Sequence, residues 1–201
     1  MNGIIRDIIP EIGDEGIFRR LRMKADGNRH SDEIMELFRA TVAWGRRLIA
    51  PAAVCKTLSV LGREDAVVRF QDTGFQVRSG DVAALLDGCS SATLMAATIG
   101  PALSAAMDGL MAEKRMTEAM VMDAFGSEAV EGVVNTLCTR LRDSERESVP
   151  TRRFSPGYGD WDLSAQRAVL EELGAAEIGI GVGDSSILIP EKSVTAIMGW
   201  K

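Results

Sequence analysis

ATLMAATI, residues 92–99, is apolar throughout and is closed by Gly100-Pro101. Its length suits a buried strand, although periodicity alone does not separate so short a run from a buried helix. Two helical segments follow, 102–113 and 117–145. The second carries Met120, Val121, Ala124, Phe125, Val130, Val133, Val134, Leu137 and Leu141 at helical spacing. A strand feeding consecutive helices is not the regular βαβ alternation of a doubly wound fold. Upstream, Ser31 reads as an N-cap with Asp32 and Glu33 in the first turn of a helix. Ile34, Met35, Phe38, Val42 and Leu48 continue it to the Ala50-Pro51 break. Residues 53–60 and 65–70 read as short strands with Gly62 at the turn between them. Asp72-Thr73-Gly74 marks another turn, and 80–86 a short helix. Downstream lie the charged RDSERESVPTRR, a Pro/Gly-rich loop at 154–159, a helix at 163–173 and strand-like pieces at 178–182, 187–189 and 194–198. The expected fold class is α+β: one domain over 1–201, with a mainly antiparallel twisted sheet packed with several helices.

The composition is that of an ordinary globular chain: of 201 residues, 46% are hydrophobic and 26% charged. Disordered, collagen-like and coiled-coil classes are thereby excluded. Lys and Arg number 23 against 29 Asp and Glu, a net charge of −6 with no basic stripe, so no nucleic-acid partner is expected. Cys55, Cys89 and Cys138 are scattered without CxxC or CxxH spacing and read as small buried hydrophobes, not as disulfides or zinc ligands. The start lacks a basic and then apolar leader, and no apolar run reaches the roughly 18 residues of a membrane span. The expectation is a reduced, soluble, cytoplasmic protein without a membrane role.

His30 is the only histidine, which removes multi-histidine zinc sites and leaves a Ser-His-Asp triad dependent on a polar pre-helix residue. GxGxxG after a strand and GxxxxGK[ST] are both absent, and Gly179-Ile180-Gly181-Val182-Gly183 reads as a bent strand or bulge. Two features remain. Asp123, Ser127, Glu131 and Asn135 are spaced by four and stack on one face of the long helix, with Gly126 among them. That pattern fits a solvated face with a packing glycine, or close approach of a backbone or ligand. The second feature is Arg153-Phe154-Ser155-Pro156-Gly157-Tyr158-Gly159-Asp160-Trp161, which holds the only tyrosine and a tryptophan although aromatics are 5% of the chain. Arg153 offers a planar fork for a carboxylate or phosphate, Tyr158 a ring face, and Gly157 a backbone free to take positive φ. The stretch fits a tight turn with an aromatic anchor, or a site for a small zwitterion with an aromatic part.

Arg153-x-x-x-Gly157-Tyr158 resembles the RxxxGY signature of the activation domain of cobalamin-dependent methionine synthase, which lies in an extended stretch that binds S-adenosylmethionine. The tail, Ser185-Ser186-Ile187-Leu188-Ile189-Pro190-Glu191-Lys192-Ser193-Val194 and then Gly199-Trp200, is similar to the Ser…Pro-x-x-Ser-Val…Gly-Trp segment of those domains. Glu131 falls near a helix glutamate that contacts the cofactor there. The resemblance is best over 92–201 and weaker over 1–91.

The resemblance implies a domain that presents S-adenosylmethionine to a corrin while a flavodoxin-like or ferredoxin-like reductant reduces cob(II)alamin, methyl transfer then trapping the cobalt. It implies that Arg153 pairs with the cofactor carboxylate, that Pro156 and Gly157 allow close approach, and that Tyr158 packs against it. Glu131 and Asp123 then meet its amino group or ribose. The cobalamin belongs to a partner, since no DxHxxG motif occurs here, so such a chain acts in trans on a separate corrinoid methyltransferase. Those domains also carry an aromatic segment beyond the Gly-Trp point, so one wall of the site is expected to be missing or to come from elsewhere. Two alternatives belong to other classes: a docking scaffold for a corrinoid protein without cofactor binding, and an unrelated enzyme using Asp123 and Glu131 as acid and base or metal ligands.

Overall fold

Alternation of side chains across three neighbouring strands builds the sheet and divides the core in two. In β2 (Ala52–Glu64), β5 (Ser91–Thr98) and β8 (Ser193–Trp200), the side chains of Ala53, Cys55, Met95, Ala97, Ala196 and Met198 enter one apolar cluster. Their neighbours Ala52, Val54, Leu94, Ala96 and Ile197 enter the other. The computed structural model describes residues 2–23, 31–145 and 147–201, so His30 lies outside the described residues. Every strand pairing is antiparallel, and the order is β4 (Gln76–Arg78), β3 (Val67–Phe70), β2, β5, β8. The short β1 (Gly3–Ile5) pairs with the first half of β2, and β3 with its last residues.

Helices cover both faces. On one lie α1 (Asp14–Arg20), α2 (Asp32–Leu48), α4 (Ala102–Ala112) and α5 (Met116–Ser144), contributing Ile17, Phe38, Leu103 and Phe125 among others. On the other lie α3 (Gly80–Leu85) and α6 (Ala165–Leu173), with Val82, Val169 and Leu170. The fold is a mixed α+β one with an antiparallel sheet and six α-helices among the described residues. No helix among the described residues is long and apolar enough to cross a membrane.

The run at 92–99 is a strand, shifted by one residue, and Ser31 does cap α2, accepting the Ile34 N–H at 3.3 Å. The first hairpin corrects the sequence reading. Gly62 is not its turn but lies inside β2, where the register slips between Val60 and Gly62 as at a bulge. The turn falls at Asp65 and Ala66, with φ of 47° and 64°, the left-handed pair that matches the twist of a two-residue hairpin. The segment 178–182 is not one strand either. A 3₁₀ turn, Ala175–Ile178, ends at Gly179 with φ of 77°, and β6 (Gly181–Val182) then pairs with β7 (Leu188–Ile189). α1, β1 and β4 carry too few residues for a sequence period and were not expected.

All three cysteines are buried and none forms a disulfide. Gly132 shows why a glycine sits inside α5: a Cβ there would lie 2.7 Å from the Glu11 carbonyl oxygen, so the N-terminal strap crosses the helix at backbone contact. Gly132→Ala is therefore expected to destabilise the protein by about 1–3 kcal/mol. The propensity gain of about 1 kcal/mol for alanine in a helix is outweighed. A lower urea midpoint checks this, and a raised midpoint contradicts it.

Candidate functional site

The segment after α5 is held straight by the edge of β8. The Val149 N–H donates to the Lys201 carbonyl (3.1 Å), Thr151 to Gly199 (2.9 Å) and Phe154 to Ile197 (2.9 Å). Thr151 and Phe154 are three positions apart while their partners Gly199 and Ile197 are two, so the segment carries one extra residue there, as at a bulge. Phe154 packs into the cluster shared with α6, and Arg153 turns towards α5. There its Nη2 donates to Glu131 Oε2 at 3.1 Å and to Asn135 Oδ1 at 3.0 Å. The remainder of the guanidinium has no hydrogen-bond partner among the described residues.

The chain then turns sharply. Gly157 has φ of 90°, and its N–H donates to the Trp161 carbonyl at 2.7 Å. Trp161 is buried at 2% exposure and stacks on Phe154 with ring centroids 6.4 Å apart. Asp160 locks the loop to the start of α3: its carboxylate accepts from the Ser79 hydroxyl, the Gly80 N–H at 2.7 Å and the Asp81 N–H at 3.2 Å. With its base held this way, the loop presents Tyr158 outward at 69% exposure.

The bond from the Ser79 hydroxyl, then those from the Asp81 and Gly80 N–H groups, holds the Asp160 carboxyl below its ordinary value. In the unfolded chain the group takes up its proton near pH about 4; in the folded protein it does so at lower pH. The stabilisation from Asp160 is thus complete above about pH 4 and drains away as pH falls through the folded value. Asp160→Asn is expected to flatten the acid limb of a stability–pH profile, measured by urea midpoints between pH 2.5 and 6.

Between α5, the extended segment and Val194 lies a cavity of about 590 Å³, lined by Glu131, Asn135, Cys138, Thr139, Arg142, Arg152, Arg153, Phe154, Ser155, Tyr158 and Val194. A second cavity of about 260 Å³ adjoins it and shares Glu131, Ser155, Tyr158 and Val194; Pro156 lines only this one. Pro156 is buried, and Gly157 lines neither cavity; its part is to turn the chain. Cys138 borders the main cavity, but burial pushes its thiol up against the pull of Arg153 and Arg142, so it stays protonated near neutrality.

The polar stripe on α5 divides in two. Glu131 and Asn135 serve Arg153. Asp123 and Ser127 instead meet Lys192, whose buried ammonium lies 2.6 Å from Asp123 Oδ1 and 3.1 Å from Ser127 Oγ. The Lys192 stem crosses Gly126, where a Cβ would lie 3.3 Å from Lys192 Cγ and Cε and 2.8 Å from Leu103 Cδ2, so Gly126 is a packing glycine. Asp123 is not brought to Arg153. It lines a separate cavity with Met107, Met111, Met116 and Met120. Asp123 and Glu131 also fail to form an acid–base pair, since each faces its own cation two helical turns apart, about 12 Å along the axis. Among the described residues no group of three His, Cys, Asp or Glu is placed to hold a metal ion.

Sequence reasoning overlooked Arg142, Arg152 and Thr139 as lining residues. Arg142 and Thr139 follow Asn135 at seven and four residues on the same helix face, a signal that was available. Lys192 offered none, because its partner Asp123 is 69 positions away.

The sequence matches no family model, and no curated protein matches it. Among solved structures the fold is that of a methionine synthase reactivation domain. The likeness is to a crystal structure of the MetH reactivation domain bound to AdoHcy, with a TM-score of 0.65 over 94% of this chain and 73% of that one. The two share 15% sequence identity, so the likeness is one of fold.

Proposed function

We propose that this chain is an S-adenosylmethionine-binding reactivation module acting on a partner corrinoid methyltransferase, together with a flavodoxin-like or ferredoxin-like reductant. The observation that carries the reading is the Arg153–Glu131–Asn135 cluster beside the exposed Tyr158 ring in the main cavity, on this fold. The residues fit the ligand's groups. The open edge of the Arg153 guanidinium suits a carboxylate, Glu131 and Asn135 suit an ammonium, and Tyr158 suits a heteroaromatic ring. The Arg153–Glu131 pair is half-exposed, so it is worth about 0.2–1 kcal/mol and yields readily to ligand groups of matching charge. A volume of about 590 Å³ lies within the range of roughly 300–1,000 Å³ usual for small-molecule sites.

When bound, S-adenosylmethionine supplies a sulfonium methyl to the corrinoid cobalt of the partner. The part of this chain is orientation: Arg153 and Glu131 hold the amino-acid end, and Tyr158 holds the ring end against rotation. No proton needs to move, which agrees with a cavity whose only carboxylate is paired with arginine. A second reading, a docking scaffold without cofactor binding, draws on Asp123, which Lys192 already occupies. Calorimetric titration of S-adenosylmethionine, alone and with a corrinoid protein present, separates the two. Saturable heat supports the module, and its absence in both titrations with folded protein supports the scaffold.

A further inference from the structure

The main cavity carries more positive charge than the proposed ligand uses. Its lining holds three guanidiniums, Arg142, Arg152 and Arg153, against one carboxylate, Glu131, in a protein whose net charge is −6. Arg153 is paired with Glu131. The guanidiniums of Arg142 and Arg152 make no ion pair or hydrogen bond to any described residue. The Arg152 guanidinium rests on the Phe154 ring, 5.7 Å from its centroid, which steadies the side chain while leaving its N–H edge open. S-adenosylmethionine, with a sulfonium, an ammonium and one carboxylate, bears net positive charge and leaves both arginines unmatched.

The cavity also has two ends. Glu131 and Tyr158, which it shares with the adjoining cavity, mark one. Arg142 marks the other, eleven residues further along α5, about 16 Å at 1.5 Å per residue. The Arg153 cluster occupies only the first part of that length. Thr139, between them, uses its hydroxyl hydrogen on the Asn135 carbonyl at 3.1 Å, so no anionic side chain intervenes.

We infer that Arg142 and Arg152 form an anion subsite at the far end of the main cavity, taking the phosphate of a small phosphorylated molecule. Two forked, uncompensated guanidiniums lining one cavity, Arg142 from α5 and Arg152 from the extended segment, are the donor set that phosphate oxygens satisfy, each through paired N–H bonds. The inference stands on charge and geometry independent of the S-adenosylmethionine reading. Phosphate and S-adenosylmethionine engage different arginines.

The test titrates the full chain at low ionic strength with inorganic phosphate and with adenosine 5′-monophosphate, following binding by calorimetry and melting temperature. Wild type is compared with the double variant Arg142→Gln/Arg152→Gln and with Arg153→Ala. Both anions should bind wild type saturably and at least ten-fold more weakly to the double variant, with chloride at equal ionic strength giving no melting shift. Loss of adenosine 5′-monophosphate binding in Arg153→Ala identifies a nucleotide spanning both ends; indifference to that change identifies phosphate alone. Equal binding by the double variant, or no phosphate binding by wild type, overturns the subsite even if S-adenosylmethionine binds. The double variant changes two exposed residues, and an unaltered melting temperature without ligand confirms that it is folded.

Discussion

Arg153→Ala should reduce S-adenosylmethionine affinity by ten-fold to a hundred-fold or more, from a wild-type value in the micromolar range, about −8 kcal/mol. The magnitude follows from the bond type: a hydrogen bond to a charged group contributes about 1.5–3 kcal/mol. Removing Arg153 also frees Glu131 to repel the ligand carboxylate. Stability should hardly change, because the Arg153–Glu131 pair is 27% and 40% exposed, and such pairs contribute about 0–1 kcal/mol. Arg153→Lys should rescue only part of the affinity, since an ammonium cannot present the planar fork to a carboxylate while still reaching Glu131 and Asn135. Isothermal titration of the three proteins provides the measurement. Identical heats for wild type and Arg153→Ala would remove Arg153 from the binding site and with it the main support for the proposed function.

Trp161→Ala is expected to cost about 3–5 kcal/mol, the usual toll for emptying a buried aromatic site. Trp161 is 2% exposed, stacks on Phe154, and its carbonyl accepts the Gly157 N–H that closes the turn. Its loss should therefore loosen residues 154–161 as a unit, so ligand binding falls together with stability. Tyr158→Ala makes the complementary case. At 69% exposure the ring contributes little to folding, and its removal should weaken binding while leaving the urea midpoint within about 0.5 kcal/mol. A Trp161→Ala protein with an unchanged midpoint would mean that the loop is held by Asp160 and the β8 edge alone.

These expectations rest on features of unequal visibility in the chain. The 92–99 strand, the two helices after it and the Ser31-capped helix were legible because each carries a run long enough for a period or a cap to show. The bulge at Gly62 was not, because a glycine inside a strand and a glycine in a turn look alike in one dimension. Only pairing with β3 decides between them. The site divides in the same way. Arg153, Glu131 and Tyr158 were readable as candidates, and the structure brings these three to one cavity. Asp123, though on the same stripe, is held elsewhere by Lys192.

The amino-acid order alone determined the longer secondary elements, the α+β class and the residue types capable of gripping a small zwitterion, since those depend on local spacing and side-chain chemistry. Tertiary structure alone decided which of two α5 carboxylates faces Arg153, that Trp161 and Asp160 are anchors, and that Arg142 and Arg152 line one cavity. Those outcomes depend on β8 pinning one segment straight and on Lys192 reaching across from the turn before β8. Contacts between residues twenty to seventy positions apart leave no period in a sequence; they arise only when the sheet closes and sets which side chains meet.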